Sequence, residues 1–585
     1  MIKKITLLAF LIMTNNIIFG QNNYSSKTPI SIGSIEESVF LHCNTTTFLC
    51  GETLLFKLYS LNPTQKTFST ISKVGYVELL DADNKSILKQ KILLKNGTGK
   101  GDFFIASKLK TGTYKLIAYT NWTLNKFENG IYKTDIFIIN PFDGTLLEEN
   151  IRNKSVEVKS SKDFHSIKTN ETIKQDNNPI SLKTNKAKYA TREKVSLTIN
   201  SNLNEPVKGN FSVSVRKTDS LPTPTPANST TFLSSSLHKK NSVHNGKRIL
   251  PEFRGEIVSG KIIAKENTKE LKGKTVALSI PGKYFAFKLA KTDEQGNFNF
   301  ILDEHPLASN AVVQVMEKDR NEYSIVLNET IENHFGALPF SNQLHLDAKN
   351  KKDIENRSVA NQIENNYYKN KKDSLASIQK TAPFFYPLQK EYVLDDYTRF
   401  PTLKETIIEV LNEVYYKKEK DTYSIHIKDY SAQGDAYDEA LVMVDGLLIQ
   451  NLNELFEYDM QNIYKVSFVN QGYVYGPKVF NGIINFVTKK NDYETKTSGD
   501  FIKSLTIERP QPIKKYYTPD YSNKDSERIP DFRYQLFWLP EATLTEKETP
   551  LDFYTSDVKG QYQISIEGFT DKGNAVSIKE FITVE

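Results

Sequence analysis

The chain has 585 residues and a formal charge of +6, with 25% charged, 38% hydrophobic and 11% aromatic residues. That composition belongs to a globular protein of roughly three to five domains, at about 100–200 residues each. Lys and Arg are spread along the sequence rather than gathered in a stripe, so nucleic acid is excluded as the expected partner.

The N-terminus reads as a secretory signal peptide over residues 1–20. Met1-Ile2-Lys3-Lys4 is positive, Ile5 to Met13 is apolar, Ile17 to Phe19 follows a polar break, and Gly20-Gln21 supplies a small residue at a cleavage point. The apolar run is too short for a spanning helix, which needs about 20 residues. No Cys follows it, which argues against a lipoprotein anchor. No later segment reaches spanning length, so membrane association is expected only through another protein.

Residues 34–145 carry short aromatic and β-branched runs separated by turn residues: Val39 to His42, Thr53 to Tyr59, Val74 to Leu80, Gly101 to Ile105 and Gly112 to Thr120. Such punctuation predicts a β-sandwich. The only two cysteines, Cys43 and Cys50, flank a turn-like stretch. In an oxidising compartment they can close a disulfide worth about 2–3 kcal/mol; two buried free thiols are the alternative. Asp81, Asp83 and Asn84 read as a solvated turn in preference to a weak calcium loop.

Residues 146–183 are polar and aperiodic, and read as a linker. A second strand set is expected over 184–250, from the alternating Lys194 to Ile199 and Phe211 to Val215, ending in the long loop Leu221-Pro222-Thr223-Pro224-Thr225-Pro226. A third unit spans 251–330, and residues 331–390 read as a second polar linker, with loop or a marginal helix up to about Ser374. Residues 391–495 are mixed. Leu403, Ile407, Ile408 and Leu411 have helical spacing, Leu441 to Val444 is a strand stopped by Asp445-Gly446, and Ile463 to Val469 and Ile483 to Val487 add two more strands. Residues 500–585 read as a C-terminal sandwich. The fold class expected is therefore mainly β, with tandem β-sandwiches and one small α+β domain, though the sequence leaves open whether the second and third β units are separate or nested.

No catalytic signature appears. The eight His residues form neither His-x-x-x-His nor His-Glu-x-x-His, and no Gly-x-Ser-x-Gly elbow or phosphate-binding loop is present. Gly97-Thr98-Gly99-Lys100-Gly101 reads as a hairpin turn because no helix follows. No catalytic residue, metal or cofactor is therefore expected.

Four stretches resemble known families. Phe40-Leu41-His42, Cys50-Gly51-Glu52-Thr53, Tyr76-Val77-Glu78-Leu79 and Gly112-x-Tyr114 leading into Ala118-Tyr119-Thr120-Asn121-Trp122 are similar to macroglobulin-like, immunoglobulin-type sandwiches of bacterial surface proteins. Tyr189 to Val215 resembles the opening of another such domain. Gly260-Lys261-Ile262 and Thr292-Asp293-x-x-Gly296-x-Phe298-x-Phe300 resemble a carboxypeptidase-regulatory-like domain. Ala440 to Lys490 resembles the plug of TonB-dependent outer-membrane receptors: Leu441 to Gly446; Asp459-Met460-x-x-Ile463-x-x-Val466; and Tyr475-Gly476-x-x-x-x-Asn481-Gly482-Ile483-Ile484-Asn485-x-x-Thr488-Lys489. Cys50-Gly51-Glu52-Thr53 also resembles a macroglobulin thioester, but Thr53 stands where a Gln must supply the acyl group. Only 95 residues follow Lys490, too few for a receptor barrel.

Together these resemblances imply a non-enzymatic envelope protein at the periplasmic face of a Gram-negative outer membrane. The expected role is an adaptor to a TonB-dependent receptor, a secretion or assembly component, or another barrel. The alternatives are an accessory component of nutrient uptake or secretion carrying a cargo, a macroglobulin-type protease trap, and an enzyme whose convergent site the sequence does not mark.

Overall fold

Strand Thr53–Asn62 organises the N-terminal unit. In the computed structural model, which describes residues 36–126, 130–143, 178–237, 249–266, 268–302, 308–328, 335, 338–376, 382–428, 439–522 and 528–585, it pairs antiparallel with Ser38–Cys43 on one side. On its other side it pairs with Thr67–Phe68 and Thr98–Phe104. A five-stranded sheet, in the order Thr47–Leu49, Tyr132–Ile139, Gly112–Tyr119, Val74–Leu80, Ser86–Leu93, completes the first sandwich. Phe40, Phe48, Phe56, Val77, Leu79, Leu116, Ile136 and Ile138 fill the core. The second face of this sheet is covered too: Tyr76, Ile117 and Tyr119 pack with Phe335 and Leu338. The predicted signal peptide lies outside the described residues.

The second sandwich is assembled from both ends of the remaining chain. Lys194–Ser201 lies between Ile180–Thr184 and Glu548–Tyr554. Gly209–Lys217 lies between Gln535–Ala542 and Gly560–Thr570, and the latter pairs on with Ala575–Val584. The expectation of a self-contained C-terminal sandwich over 500–585 is corrected here. Neither the strands near residue 200 nor those near residue 560 can bury their alternating apolar faces alone. Together they enclose one core of Val195, Leu197, Val213, Val215, Phe553, Ile564, Ile566 and Ile582.

Everything between is nested inside. The third sandwich sets Asn297–Leu302, Glu256–Ala264 and Tyr323–Leu327 against Ala286–Lys291, Thr275–Ile280, Asn310–Val315 and Ile502–Thr506. Its last strand thus comes from beyond the predicted boundary at 330. The α+β unit is inserted before that strand. Its sheet runs Lys390–Val393, Ile463–Tyr475, Lys478–Thr488, Leu441–Val444, Leu447–Leu448. Helix Leu403–Glu409 begins with a capping box in which Thr402 and Glu405 satisfy each other's backbone N–H groups. That helix and the hairpin Val414–Glu419/Thr422–Ile427 cover one face of the sheet through Leu403, Ile407, Ile425 and Ile427. The third sandwich covers the other through Ala277 and Phe287.

The stretch 331–390, expected to be a polar linker with loop or a marginal helix, contains the 16-residue helix Lys351–Asn366, which bridges the first and second sandwiches. Among the described residues, no helix is long and apolar enough to cross a membrane.

Candidate functional site: a sealed motif, an edge strand and a cleft

The motif that resembles a receptor plug is a turn locked to a closing strand. Leu441–Val444 runs parallel to Lys478–Thr488, and the chain then reverses through Asp445 and Gly446, at φ 50° and 82°. Asp445 is buried, and its carboxylate accepts from Thr488 N at 2.8 Å, Thr488 Oγ1 at 2.6 Å and Tyr493 N at 3.3 Å. Burial raises its carboxyl above the usual range, against the lowering effect of these bonds. Gly446 N donates to Asn485 Oδ1. A Cβ at Gly446 would stand 2.1 Å from Phe285 Cγ, so only glycine admits the third sandwich at this point.

The remaining residues of the motif serve the long hairpin. Asn481 is buried opposite Gly472, beside the register shift that bends the strand after Val469. Gly482, at φ 89°, lets Val469 O approach closely. Tyr475 and Gly476 form the hairpin tip, where the Tyr475 hydroxyl donates to Phe287 O and its ring meets Phe384 at 4.3 Å. Lys489 donates its backbone N–H to Asn462 O and leaves its side chain exposed. The structure thus brings Asp445, Gly446 and Thr488 together and places Tyr475 and Gly476 at the far end of the hairpin. The polar side chains of Asp445 and Thr488 are engaged in holding the turn.

The unit is fastened to the third sandwich by polar contacts as well. Leu448 N donates to Ser279 Oγ at 3.1 Å, Gln314 Nε2 to Leu448 O at 2.9 Å, and Gly282 N to Asp445 O at 3.0 Å. With both sheet faces covered, the accessible part is an edge. Lys390–Val393 pairs with Ile463–Tyr475 on one side and, among the described residues, with no strand on the other. Exposed Tyr386, Leu388 and Tyr397 flank it, at 62%, 49% and 45%. The sequence reading passed over this edge because four residues with two charges carry little strand signal.

The two cysteines are not joined. Cys43 ends a strand of one sheet and Cys50 follows a strand of the other; both are buried and free. Burial pushes their thiols up to about 12 and about 11. Just beyond Cys50, Glu52 carries a buried ion network. Glu52 accepts from Arg357 Nε and Nη2, each at 2.7 Å, and from Arg216 Nη2 at 3.2 Å. Arg357 Nη1 reaches Asp219 at 2.9 Å. Burial alone raises the Glu52 carboxyl, but the two guanidinium groups bring it down to about 2. The Cys50-Gly51-Glu52 turn is therefore a docking point for a helix.

A Ser–His contact lies nearby, with His42 Nδ1 2.7 Å from Ser212 Oγ. Ser212 is fully buried and also donates to Glu567 O, while burial, reinforced by Lys579, lowers His42 to about 3. The pair is an interior bond rather than an accessible nucleophile and base. His345 and His426 are the other described histidines, and no cluster of metal-binding side chains occurs among the described residues. Asp81 Oδ1 accepts from the backbone N–H groups of Asp83 and Lys85, which makes this stretch a turn.

No family model and no curated protein matches the sequence. Among solved structures, the native conformation of Escherichia coli α2-macroglobulin is similar at 9% identity and a TM-score of 0.23, over 94% of this chain and 40% of that one. Salmonella α2-macroglobulin mutant Y1175G has 9% identity and a TM-score of 0.23, over 94% and 39%. Dimeric latent PorU from Porphyromonas gingivalis has 10% identity and a TM-score of 0.15, over 50% and 33%. The chain spans about two fifths of the length of the macroglobulins it matches. Its mainly β, multi-sandwich architecture stands on the strand pairings above.

Proposed function

We propose that this chain is an exported, non-enzymatic envelope protein that binds other proteins at the periplasmic face of the outer membrane. In this reading the α+β unit is plug-like, the third sandwich is carboxypeptidase-regulatory-like, and the partner is a TonB-dependent receptor or another barrel. The observation that carries the reading is the free edge Lys390–Val393 with Tyr386, Leu388 and Tyr397 exposed beside it. An unpaired row of backbone N–H and C=O groups is a template for strand addition, and flanking aromatic and aliphatic side chains supply the specificity pockets. The unit presents this edge from a fixed platform, because its sheet is clamped between its own helices and the third sandwich.

The test is affinity purification of the tagged protein from detergent-solubilised envelope, with partners identified by mass spectrometry. The intact protein is expected to recover a barrel protein in near-stoichiometric amount, and the surface variants Leu388→Glu and Tyr397→Glu to lose it. Recovery of the intact protein alone would overturn the adaptor reading. Deletion of 440–490 is a poor control, since those residues supply the four strands at the centre of the sheet and at one edge. Loss of growth on one specific substrate would favour the version in which the complex carries a cargo.

A further inference from the structure

The first and second sandwiches meet across a cleft of about 350 Å³, within the size range of small-ligand sites. Its floor is the outward face of the five-stranded sheet of the second sandwich. Strand register sets Ser214, Ser565 and Lys579 side by side on three neighbouring strands, with Gln563 on the next rung of the middle strand. The walls are the loop after Ser38–Cys43 and the proline-rich strap Thr223 to Asn228.

Most polar groups around the cleft already have protein partners. The hydroxyls of Thr46 and Thr47 donate to the carbonyls of Pro224 and Pro222. Asn44 donates to Gln535, which donates to Ser214 Oγ at 2.9 Å. Arg216 is held by Glu52, and Glu567 accepts from Ser229 N at 2.9 Å and Ser577 Oγ at 2.7 Å. The side chains of Gln563, Ser565 and Lys579 differ. All three line the cleft, and none has a hydrogen-bond or ion-pair partner among the described residues. Ser565 and Lys579 are direct cross-strand neighbours, which puts their Cβ atoms about 4.5–5.5 Å apart.

The trio is rich in donors. An ammonium offers only donors, a hydroxyl offers one, and a carboxamide offers two. A ligand that satisfies the ammonium and the donors beside it accepts hydrogen bonds and carries negative charge. Lys217 also lines the cleft, but its ammonium sits over the Tyr534 ring at 5.1 Å, which leaves Lys579 as the ammonium beside Ser565 and Gln563 to match one carboxylate. We propose that this cleft binds a carboxylate, presented by a short peptide or by a free small acid, with Lys579 as its ion partner and Ser565 and Gln563 as additional donors. The site lies away from the α+β unit and does not depend on the adaptor reading.

The test is isothermal titration of the full chain with acetyl-tetraglycine, the same peptide amidated at its C-terminus, and glutarate. The free-acid peptide is expected to bind and the amide to bind about tenfold or more weakly, since a charge-assisted bond is lost. Lys579→Gln is expected to lose a similar factor with an unchanged melting temperature, and Lys261→Gln on the third sandwich to lose nothing. Glutarate binding as well as the peptide would support a free acid as ligand, and weaker binding would support a peptide terminus. Failure of both carboxylate probes to bind at millimolar concentration would overturn the proposal. So would equal affinities of the parent and Lys579→Gln, or an equal loss in Lys261→Gln.

Discussion

Arg357 holds both carboxylate oxygens of Glu52 at 2.7 Å, across 305 residues of sequence. One residue belongs to a turn of the first sandwich, and the other to a helix between the third sandwich and the α+β unit. The same helix face repeats the contact every four residues. Asp353 accepts from Ser220, Asn361 donates to Cys50 O, and Asn365 donates to Gly51 O. Removing one partner of a buried pair leaves an uncompensated charge, which costs about 3–5 kcal/mol. Arg357→Ala is therefore expected to lower unfolding free energy by about that amount, and Arg357→Lys to recover only part of it because the bidentate geometry is lost. Denaturant titration monitored by tryptophan fluorescence measures both.

The same pair sets an acid limit. The folded Glu52 carboxyl titrates near 2, below its ordinary 4.5. Its contribution is thus fully present above about 4.5 and is lost as pH falls toward 2. Glu52→Gln is expected to be less stable than the parent at neutral pH, and the difference to shrink through that window. A melting-temperature series from neutral pH down to pH 3 follows it.

Glu252 runs the opposite way. Its burial, together with the nearby Glu256, outweighs the bonds from Ile257 N and the Tyr76 hydroxyl and raises its carboxyl to about 7. The folded state then holds a proton that the unfolded state releases. This group's stabilising effect is complete below about 4.5, is lost as pH rises toward 7, and stays lost above. Glu252→Gln keeps a neutral side chain in the same place. Its melting temperature is expected to exceed the parent's above pH 7, with the gap closing toward pH 5.

How much of this was legible depends on the range of the information. Local signals worked: Val39 to His42, Thr53 to Tyr59 and Leu441 to Val444 all lie in strands, and Asp445-Gly446 is a turn. Partner choice across the chain did not. Nothing local in Val213 or Val215 says that Ile566 and Ile564 complete their sheet, more than 340 residues on. The helix Lys351–Asn366 was legible only as loop or marginal helix because its docking stripe is Asp353, Arg357, Asn361 and Asn365. A polar stripe that binds backbone carbonyls and a buried carboxylate carries no apolar periodicity. The role of Glu52 is equally non-local, since its partners Arg216 and Arg357 lie 164 and 305 residues away.

The cysteines provide a direct chemical check. With thiols free, buried and raised to about 12 and about 11, thiolate is scarce at neutral pH and access is closed. The native protein is expected to leave a thiol-reactive dye almost unreacted over minutes, and the denatured protein to react at both positions without added reductant. A denatured chain that reacts only after reduction would mean that Cys43 and Cys50 had joined.

Gly446 and Phe285 make a contact whose removal can be reversed. Gly446 sits at φ 82°, and a Cβ built there would come within 2.1 Å of the Phe285 ring and 2.4 Å of its Cβ. Gly446→Ala therefore combines a disfavoured left-handed backbone with overpacking of an interface, each worth about 1–3 kcal/mol. The ring cannot retreat freely, because it packs against Phe384 and Phe385 at 6.4 and 6.3 Å. Phe285→Ala removes the obstacle but loses aromatic burial. If the clash is the main cost, the double variant is more stable than the sum of the two single losses predicts, by about 1 kcal/mol or more. If backbone strain dominates, the two losses simply add. The readout that separates docking from general stability is proteolysis in the segment 382–389, which leads from the third sandwich's aromatic cluster into the α+β sheet. Gly446→Ala is expected to accelerate cleavage there, and the double variant to differ from it only if relief of the clash restores the packing of Phe385.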